Sequence, residues 1–362
     1  MTTPLRGYLA LSFVDGIGPI RYRHLVDQGW DPVTLLQEHP EQIERVTHRP
    51  LRNVNALWQR ADEELEKAQS WGAQILAYPL PEYPDALRPY ESSPPILYVW
   101  GNREALSQPG LAIVGSRRAT AYGKRIARFL ATEIAQRGLT VISGGARGID
   151  TVSHRAALAA QGTTVVVLGS GLDRPYPAEN RKLFQEVAER GGCVVTEFPF
   201  GTKPHADHFP QRNRIISGLA MGVIVVEAGE TSGALITARW AADQGKEVFA
   251  VPGPMDSPMS RGTHRLIQMG AHLVAEPEDI FQELGLPTEK PEPELPLLSA
   301  QEKKVFAALG PDPIHLDTLA ETLQMPPFEL LGILLALELK GVIQQLPGKF
   351  FVRNPQFAAW DG

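Results

Sequence analysis

The sequence predicts an α/β chain. A doubly wound, mainly parallel sheet is preceded by a helical region and followed by a small unit of helices and a hairpin. Three observations point to this. From Leu111 onward, short apolar runs alternate with amphipathic stretches at helical spacing, as in strands joined by right-handed crossovers. A dense set of prolines (Pro79, Pro81, Pro84, Pro89, Pro94, Pro95 and Pro109) marks off an N-terminal part with helical periodicity. A proline- and glutamate-rich segment, 286–297, marks off the C-terminal part and reads as a semi-rigid linker. The expected boundaries are therefore 1–75, 76–285 with 76–110 as an extended connector, 286–297, and 298–362.

Composition narrows the class. The 362 residues are 43% hydrophobic and 21% charged, with a net charge of −6. A globally basic nucleic-acid binder is excluded, so any such site must be a local patch. The single cysteine, Cys193, excludes an intrachain disulfide and multi-cysteine zinc sites, and its apolar surroundings suggest a buried thiol. Met1–Arg6 leads into no signal-peptide core, and no apolar run approaches the ~20 residues that span a bilayer. A cytoplasmic protein without a membrane segment is expected.

In the N-terminal region, Leu5, Tyr8, Leu9 and Leu11 form a short amphipathic pattern. Val14-Asp15-Gly16-Ile17-Gly18-Pro19 then precedes Tyr22, Leu25 and Val26. Such a turn between helices resembles a helix-hairpin-helix or SAM-like unit, which offers backbone amides to a phosphate; a plain inter-helix turn is the alternative. A longer helix is predicted over Leu51–Trp71, with a solvated charged face. In the connector, Ile96–Trp100 reads as a strand.

The central part reads as Rossmann-like. Strands are predicted at 111–114, 140–143, 163–168, 193–197, 222–227 and 247–251, with a shorter one near 271–274. Helices follow the first strand, with Ile126, Phe129, Leu130 and Ile134 at helical spacing, and lie near 150–161, 180–190, 212–220, 233–244 and 262–269. After the linker, Ser299 to Glu302 reads as a helix cap. Helices are predicted near 299–309, 315–323 and 326–340, then a β-hairpin over 341–352, an order that resembles a winged helix. Its second and third helices are leucine-rich rather than basic, which favours a protein-contact module over a DNA reader.

Ligands of doubly wound sheets bind beyond the carboxyl ends of the strands. Those ends should gather Gly115-Ser116-Arg117-Arg118, Gly144 to Gly148 with Arg147, Arg174, Arg181-Lys182, Lys203, and Arg212-Asn213-Arg214. The expectation is one basic rim, with phosphates also held by amides of Gly115–Arg117 and Gly144–Gly148 and by the helix start after Arg117. Some of these cations should instead pair with Glu197, Glu227, Asp150 or Asp173. A dinucleotide fits poorly, because the first turn has one glycine and the second strand ends in Ser143-Gly144 rather than an acid. The Walker pattern is absent. His205-x-x-His208 beside Asp207 could bind a metal, but its proline-flanked loop lacks the helical spacing of a metalloprotease motif, and no metal site is expected. Asp150 and His154, one helical turn apart, read as a cap and a satisfied histidine.

These motifs together resemble the DNA-processing protein A (DprA, or Smf) family. The matching residues are Val114-Gly115-Ser116-Arg117 with Thr120 and Tyr122-Gly123, Ser143 to Asp150 with His154, Val167 to Asp173 with Tyr176-Pro177 and Asn180, and Phe209-Pro210-Gln211-Arg212-Asn213-Arg214. Val226-Glu227-Ala228 with Ser232 to Ala238, Phe249 to Gly253, and Gly262 with Leu266-Ile267 continue the match, which spans about residues 80–275. His264 and Ser153 depart from the family's usual asparagine and alanine. The resemblance implies a single-stranded DNA-binding protein that protects incoming DNA in natural transformation and loads the recombinase RecA. It also implies a homodimer, with no cofactor and no catalysis. It carries the family's strand-contacting cations to Arg117, Arg181, Lys203, Arg212 and Arg214; the strand-end reading adds Gly115, Ser116, Gly144, Arg147 and Asn213 to the candidate DNA site, and Leu266 and Ile267 are a candidate dimer surface, with a plain core helix as the alternative. Two other readings stand beside it: a nucleotide-binding Rossmann hydrolase using Glu227 and Arg117, and an adaptor acting through the C-terminal module.

Overall fold

The computed structural model describes residues 3–287, 297–310 and 312–354. Most of the expected linker 286–297 and the end of the chain lie outside the described residues. The chain forms two compact units, Met1–Lys290 and Pro291–Gly362.

The first unit begins with five helices, α1 (Thr3–Ser12), α2 (Pro19–Asp27), α3 (Pro32–Gln37), α4 (Pro40–Thr47) and α5 (Val54–Trp71). Prolines stand in the first turn of α2, α3 and α4, where the missing N–H costs nothing. Gly16, at φ +84°, makes the α1–α2 turn, and Arg21 donates to its carbonyl at 2.8 Å. Apolar residues of these helices share one core with Tyr98, Val166, Leu183, Phe184 and Val194 of the sheet layer. The helical region is thus packed on the sheet rather than tethered to it.

The sheet strands are β1 (Ala73–Ala77), β2 (Ile96–Gly101), β3 (Gly110–Val114), β4 (Thr140–Ser143), β5 (Thr164–Val167), β6 (Cys193–Thr196), β7 (Gly222–Val225), β8 (Glu247–Ala250) and β9 (His272–Leu273). Among the described residues their order is β1-β2-β6-β5-β4-β3-β7-β8-β9. From β6 to β9 every pairing is parallel. The β1–β2 hairpin adds two antiparallel strands at the β6 edge. The connector was expected to hold one strand. It begins inside a second, because Ala73–Ala77 has a buried edge to pair with that its sequence does not announce. The crossover helices are α6 (Ala121–Gln136), α7 (Ile149–Ala159), α8 (Arg181–Glu189), α9 (His208–Leu219), α10 (Gly233–Asp243) and α11 (Arg261–Gln268), and α12 (Pro277–Glu283) closes the unit. β3 to β5 and β7 are buried along their whole length, since helices cover both faces. Cys193 is fully buried, and burial raises its thiol pKa.

The second unit contains α13 (Ala300–Ala308), β10 (Ile314–His315), α14 (Leu316–Leu323), α15 (Pro327–Leu339), β11 (Ile343–Leu346) and β12 (Phe350–Arg353). Its strands are ordered β10-β12-β11, a winged helix. The Ser299 and Glu302 side chains form the expected capping box on α13. Among the described residues no single helix is long and apolar enough to cross a membrane.

Candidate nucleic-acid interface

The chain leaves β3 toward β4 on one side of the sheet, and leaves β7 toward β8 on the other. Loops diverge at this switch point, and a cleft of about 490 Å³ opens there, bordered by Gly115, Arg117, Arg118, Asp150, Phe209, Arg212 and Gly233 among others. Its floor is set by close backbone approach. At Gly148, with φ +77°, a Cβ would overlap the Ser116 carbonyl, so the β4–α7 turn can lie against the β3–α6 turn only with glycine there.

The start of α6, expected to take a phosphate, is already filled by an anion of the chain itself. The buried Glu227 carboxylate accepts from Thr120 N at 2.9 Å and from Thr120 Oγ1, while Thr120 caps Gly123 N at 3.1 Å. Gly123 carries no side chain because a Cβ would collide with that carboxylate. Two loop amides expected to face phosphate are also engaged: Ser116 N donates to Glu227 O at 2.8 Å, and Ala146 N to Asp150 Oδ2 at 3.1 Å. An acid whose sequence neighbours are apolar strand residues thus neutralises the positive helix end.

The cations divide into two sets. Arg117, Arg118, Arg181, Lys182 and Lys203 are exposed and form no salt bridge to a described residue. The Arg117 guanidinium lies 5.1 Å from the centre of the Phe209 ring, whose other neighbour is Tyr176 at 5.6 Å. Arg147 is exposed but forms a two-pronged pair with Glu179 at 2.9 and 2.8 Å, and Arg174 lies 3.5 Å from Asp173. Hydrogen bonding to Arg147 lowers the Glu179 pKa, and the same bond raises that of Arg147.

Arg212 and Arg214 correct the expectation of a single rim. Arg214 is buried in an ion pair with Glu197, at 2.5 and 2.7 Å, and also donates to Ser92 O at 2.6 Å. It fastens α9 to the connector and to the end of β6, and it does not reach the rim. Arg212 is buried at the base of the cleft, donating to Gly144 O at 2.8 Å and to Val167 O. Its guanidinium and the Asp150 carboxylate both crowd the space a Gly144 Cβ would need. Burial pushes Asp150 up to about 6 and Arg212 down to about 10, each held back by the other's charge. Asn213 Nδ2 donates to Gly233 O at 3.2 Å, tying α9 to α10. Gly144 is buried beside Arg212, Gly115 is half-buried, and the Ser116 hydroxyl accepts from Arg118 N at 3.0 Å. The strand-end placement therefore holds for Gly115, Ser116, Arg117, Gly144, Arg147, Arg181 and Lys203, while Arg212 and Asn213 lie in the cleft wall.

His154 is buried, with Nδ1 2.7 Å from Thr164 Oγ1 rather than bonded to Asp150, and Nε2 has no hydrogen-bond partner among the described residues. Burial lowers its pKa to about 3. Phe209, part of the family match but not among the expected site residues, lines the cleft beside Arg117. The available signal was an aromatic residue one position before the proline of a basic loop.

Comparison with known proteins places this arrangement. The family model for DNA recombination-mediator protein A matches residues 74–285, and that for the DprA winged helix domain matches 276–349. Protein Smf of Escherichia coli is 42% identical over 356 residues, covering 94% of this chain and 93% of that protein.

The chain belongs to the DprA/Smf family.

Among solved structures, DprA from Streptococcus pneumoniae superimposes with a TM-score of 0.63 at 33% identity, covering 78% of this chain and 98% of that one. DprA from Helicobacter pylori, whose structure concerns its single-stranded DNA binding mode, gives 0.54 at 30% identity, covering 59% and 96%. In this DprA/Smf chain the family's central domain is the doubly wound sheet with its basic strand ends. Leu266 and Ile267, expected at a dimer surface, are half-buried on α11, and Leu266 packs partly into the core beneath it. They border or adjoin a groove of about 910 Å³ between α10 and α11, where Met269 is 73% exposed.

Proposed function

We propose that this protein binds single-stranded DNA along the strand-end rim and acts as a recombination mediator in natural transformation. In this reading it protects the strand and passes it to RecA. The observation that carries the reading is the division of labour at the switch point. Glu227 occupies the helix end where a nucleotide phosphate would sit, while Arg117 and Arg118 beside it, and Arg181, Lys182 and Lys203 after the neighbouring strands, remain exposed. Several exposed cations in a row suit a polyanion, and one nucleotide would leave most of them idle. Phe209 beneath Arg117 offers a ring for a base at the cleft mouth.

The hydrolase reading is disfavoured by the same carboxylate. Glu227 is buried, accepts from Thr120 through both oxygens and does not line the cleft, so it is not poised as a base toward it. We infer action without catalysis and without a cofactor, in the cytoplasm. A homodimer through the α10–α11 groove is part of this proposal, supported by the exposure of Met269 beside Leu266. In the winged helix, α14 and α15 carry no lysine or arginine, and Phe328, Leu331, Leu335 and Leu339 are exposed on α15, which supports a protein-contact role.

The test is a salt titration of binding to single- and double-stranded oligonucleotides, with a mass measurement of the free protein. Preference for single strands, a salt slope of several units, and a dimer mass are expected. Equal affinity for a mononucleotide and an oligonucleotide would overturn the reading.

A further inference from the structure

At the β6 end of the rim, the loop carrying Lys203 is anchored to the N-terminal helical region. Phe200 N donates to Glu64 Oε2 at 3.0 Å, and Glu64 is buried on α5. The other oxygen of the same carboxylate accepts from Lys67 Nζ at 3.0 Å. The loop is further held by Gly201 N on Asp173 Oδ1 at 2.8 Å and by Gly171 N on Thr202 O at 2.9 Å. Lys203 is therefore the exposed tip of a fixed loop whose base is pinned to α5.

Trp71, the last residue of α5, lies beside this base. Its ring is 6.2 Å from Phe200 and 6.4 Å from Trp100, tilted to the first and edge-on to the second. These contacts fix the ring but leave the residue 42% exposed. Lys67 stands one helical turn earlier, so it shares a face of α5 with Trp71, and its side chain is 48% exposed. The ring is held in place with part of its surface open, so a base stacking on it would cost little side-chain ordering. Trp71 and Lys67, which stays half exposed while paired with Glu64, thus lie at the end of α5 beside the base of the Lys203 loop. Phosphates spaced by bases present the complementary groups.

We propose that a DNA strand bound on the rim continues past Lys203 onto the helical region, where a nucleobase stacks on Trp71 and a neighbouring phosphate meets Lys67. This rests on the single-stranded DNA reading of the rim. It gives the N-terminal helices a direct part in binding, through the end of α5 rather than through the α1–α2 turn.

The experiment compares oligodeoxythymidylates of about 5 and about 15 nucleotides, near the short and long ends of the footprints of single-strand binding modules, by fluorescence anisotropy with the full chain. Trp71→Leu keeps apolar packing against Phe200 and Trp100 but cannot stack a base, while Trp71→Phe can. We expect Trp71→Leu to weaken the long oligonucleotide about tenfold, within the range for one stacked base, to leave the short one unchanged, and Trp71→Phe to restore most of the loss. A thermal melt of each variant separates misfolding from lost contact, because a folding defect lowers affinity for both lengths together and Phe would not selectively rescue the long one. If Trp71→Leu binds both lengths as the unchanged protein does while Arg117→Ala weakens both, the platform is refuted and the rim stands. If Arg117→Ala also binds both normally, the rim reading falls and this proposal falls with it.

Discussion

Arg214→Ala tests whether this arginine holds the fold together rather than serving the rim. Arg214 and Glu197 have side chains only 5% and 8% exposed and meet through two charge-assisted bonds. Removing the guanidinium leaves the Glu197 carboxylate buried with Gln211 Nε2, at 3.2 Å, as its remaining side-chain partner. The Ser92 and Gln211 carbonyls lose their donor as well. Breaking a buried pair from one side costs about 3–5 kcal/mol. For a unit of this size that corresponds to a fall of roughly 5–8 °C in Tm. The assay is thermal unfolding followed by circular dichroism, with a salt titration of DNA binding on the same sample below the transition. The expected result is a large drop in Tm with an unchanged salt slope for the folded protein. Adding Glu197→Gln to Arg214→Ala should recover part of the loss, because the unpaired charge is then gone. An unchanged Tm with a salt slope reduced by about 0.7 would refute this and return Arg214 to the rim.

Other outcomes follow from the same contacts. Arg117→Ala should lower single-stranded DNA affinity on every sequence and flatten the salt slope by about 0.7, with no change in Tm, because Arg117 is exposed; anisotropy titrations check this. Gly123→Ala, normally a gain of about 1 kcal/mol inside a helix, should instead destabilise in urea unfolding, since the new Cβ collides with Glu227; increased stability would show that the carboxylate is free to move. His154 has a native pKa of about 3 against an ordinary 6.5, so the native state binds fewer protons between those values. Its contribution is complete above pH 6.5 and is lost as pH falls toward 3, and His154→Gln should flatten that part of a stability–pH curve. Asp150, raised to about 6, acts with the opposite sign, its contribution shrinking as pH rises through that value, so Asp150→Asn should steepen the acid loss.

Much of the fold was legible because its signals are local. Each parallel strand from β3 to β8 is an apolar run with a helical repeat beside it, and crossovers of one hand then leave few topologies. The winged helix followed from its cap, its leucine spacing and its hairpin. The strands that escaped, β1 and β10, are short and marked mainly by their partners. Among the candidate site residues, Gly115, Arg117, Arg147, Arg181 and Lys203 lie where strand-end logic places them. Arg212 and Arg214 could not be sorted in this way.

The sequence by itself determined that a basic set of loops would gather at one edge of a doubly wound sheet. Chain order and strand direction dictate that much. Only the tertiary structure decided which charges remain available. Glu227 reaches the start of α6 across 107 positions of sequence, and Arg214 meets Ser92 across 122. Whether a cation faces solvent or a carboxylate depends on which distant segment is packed against it. No local pattern of residues carries that information, because the partner is brought in by the fold.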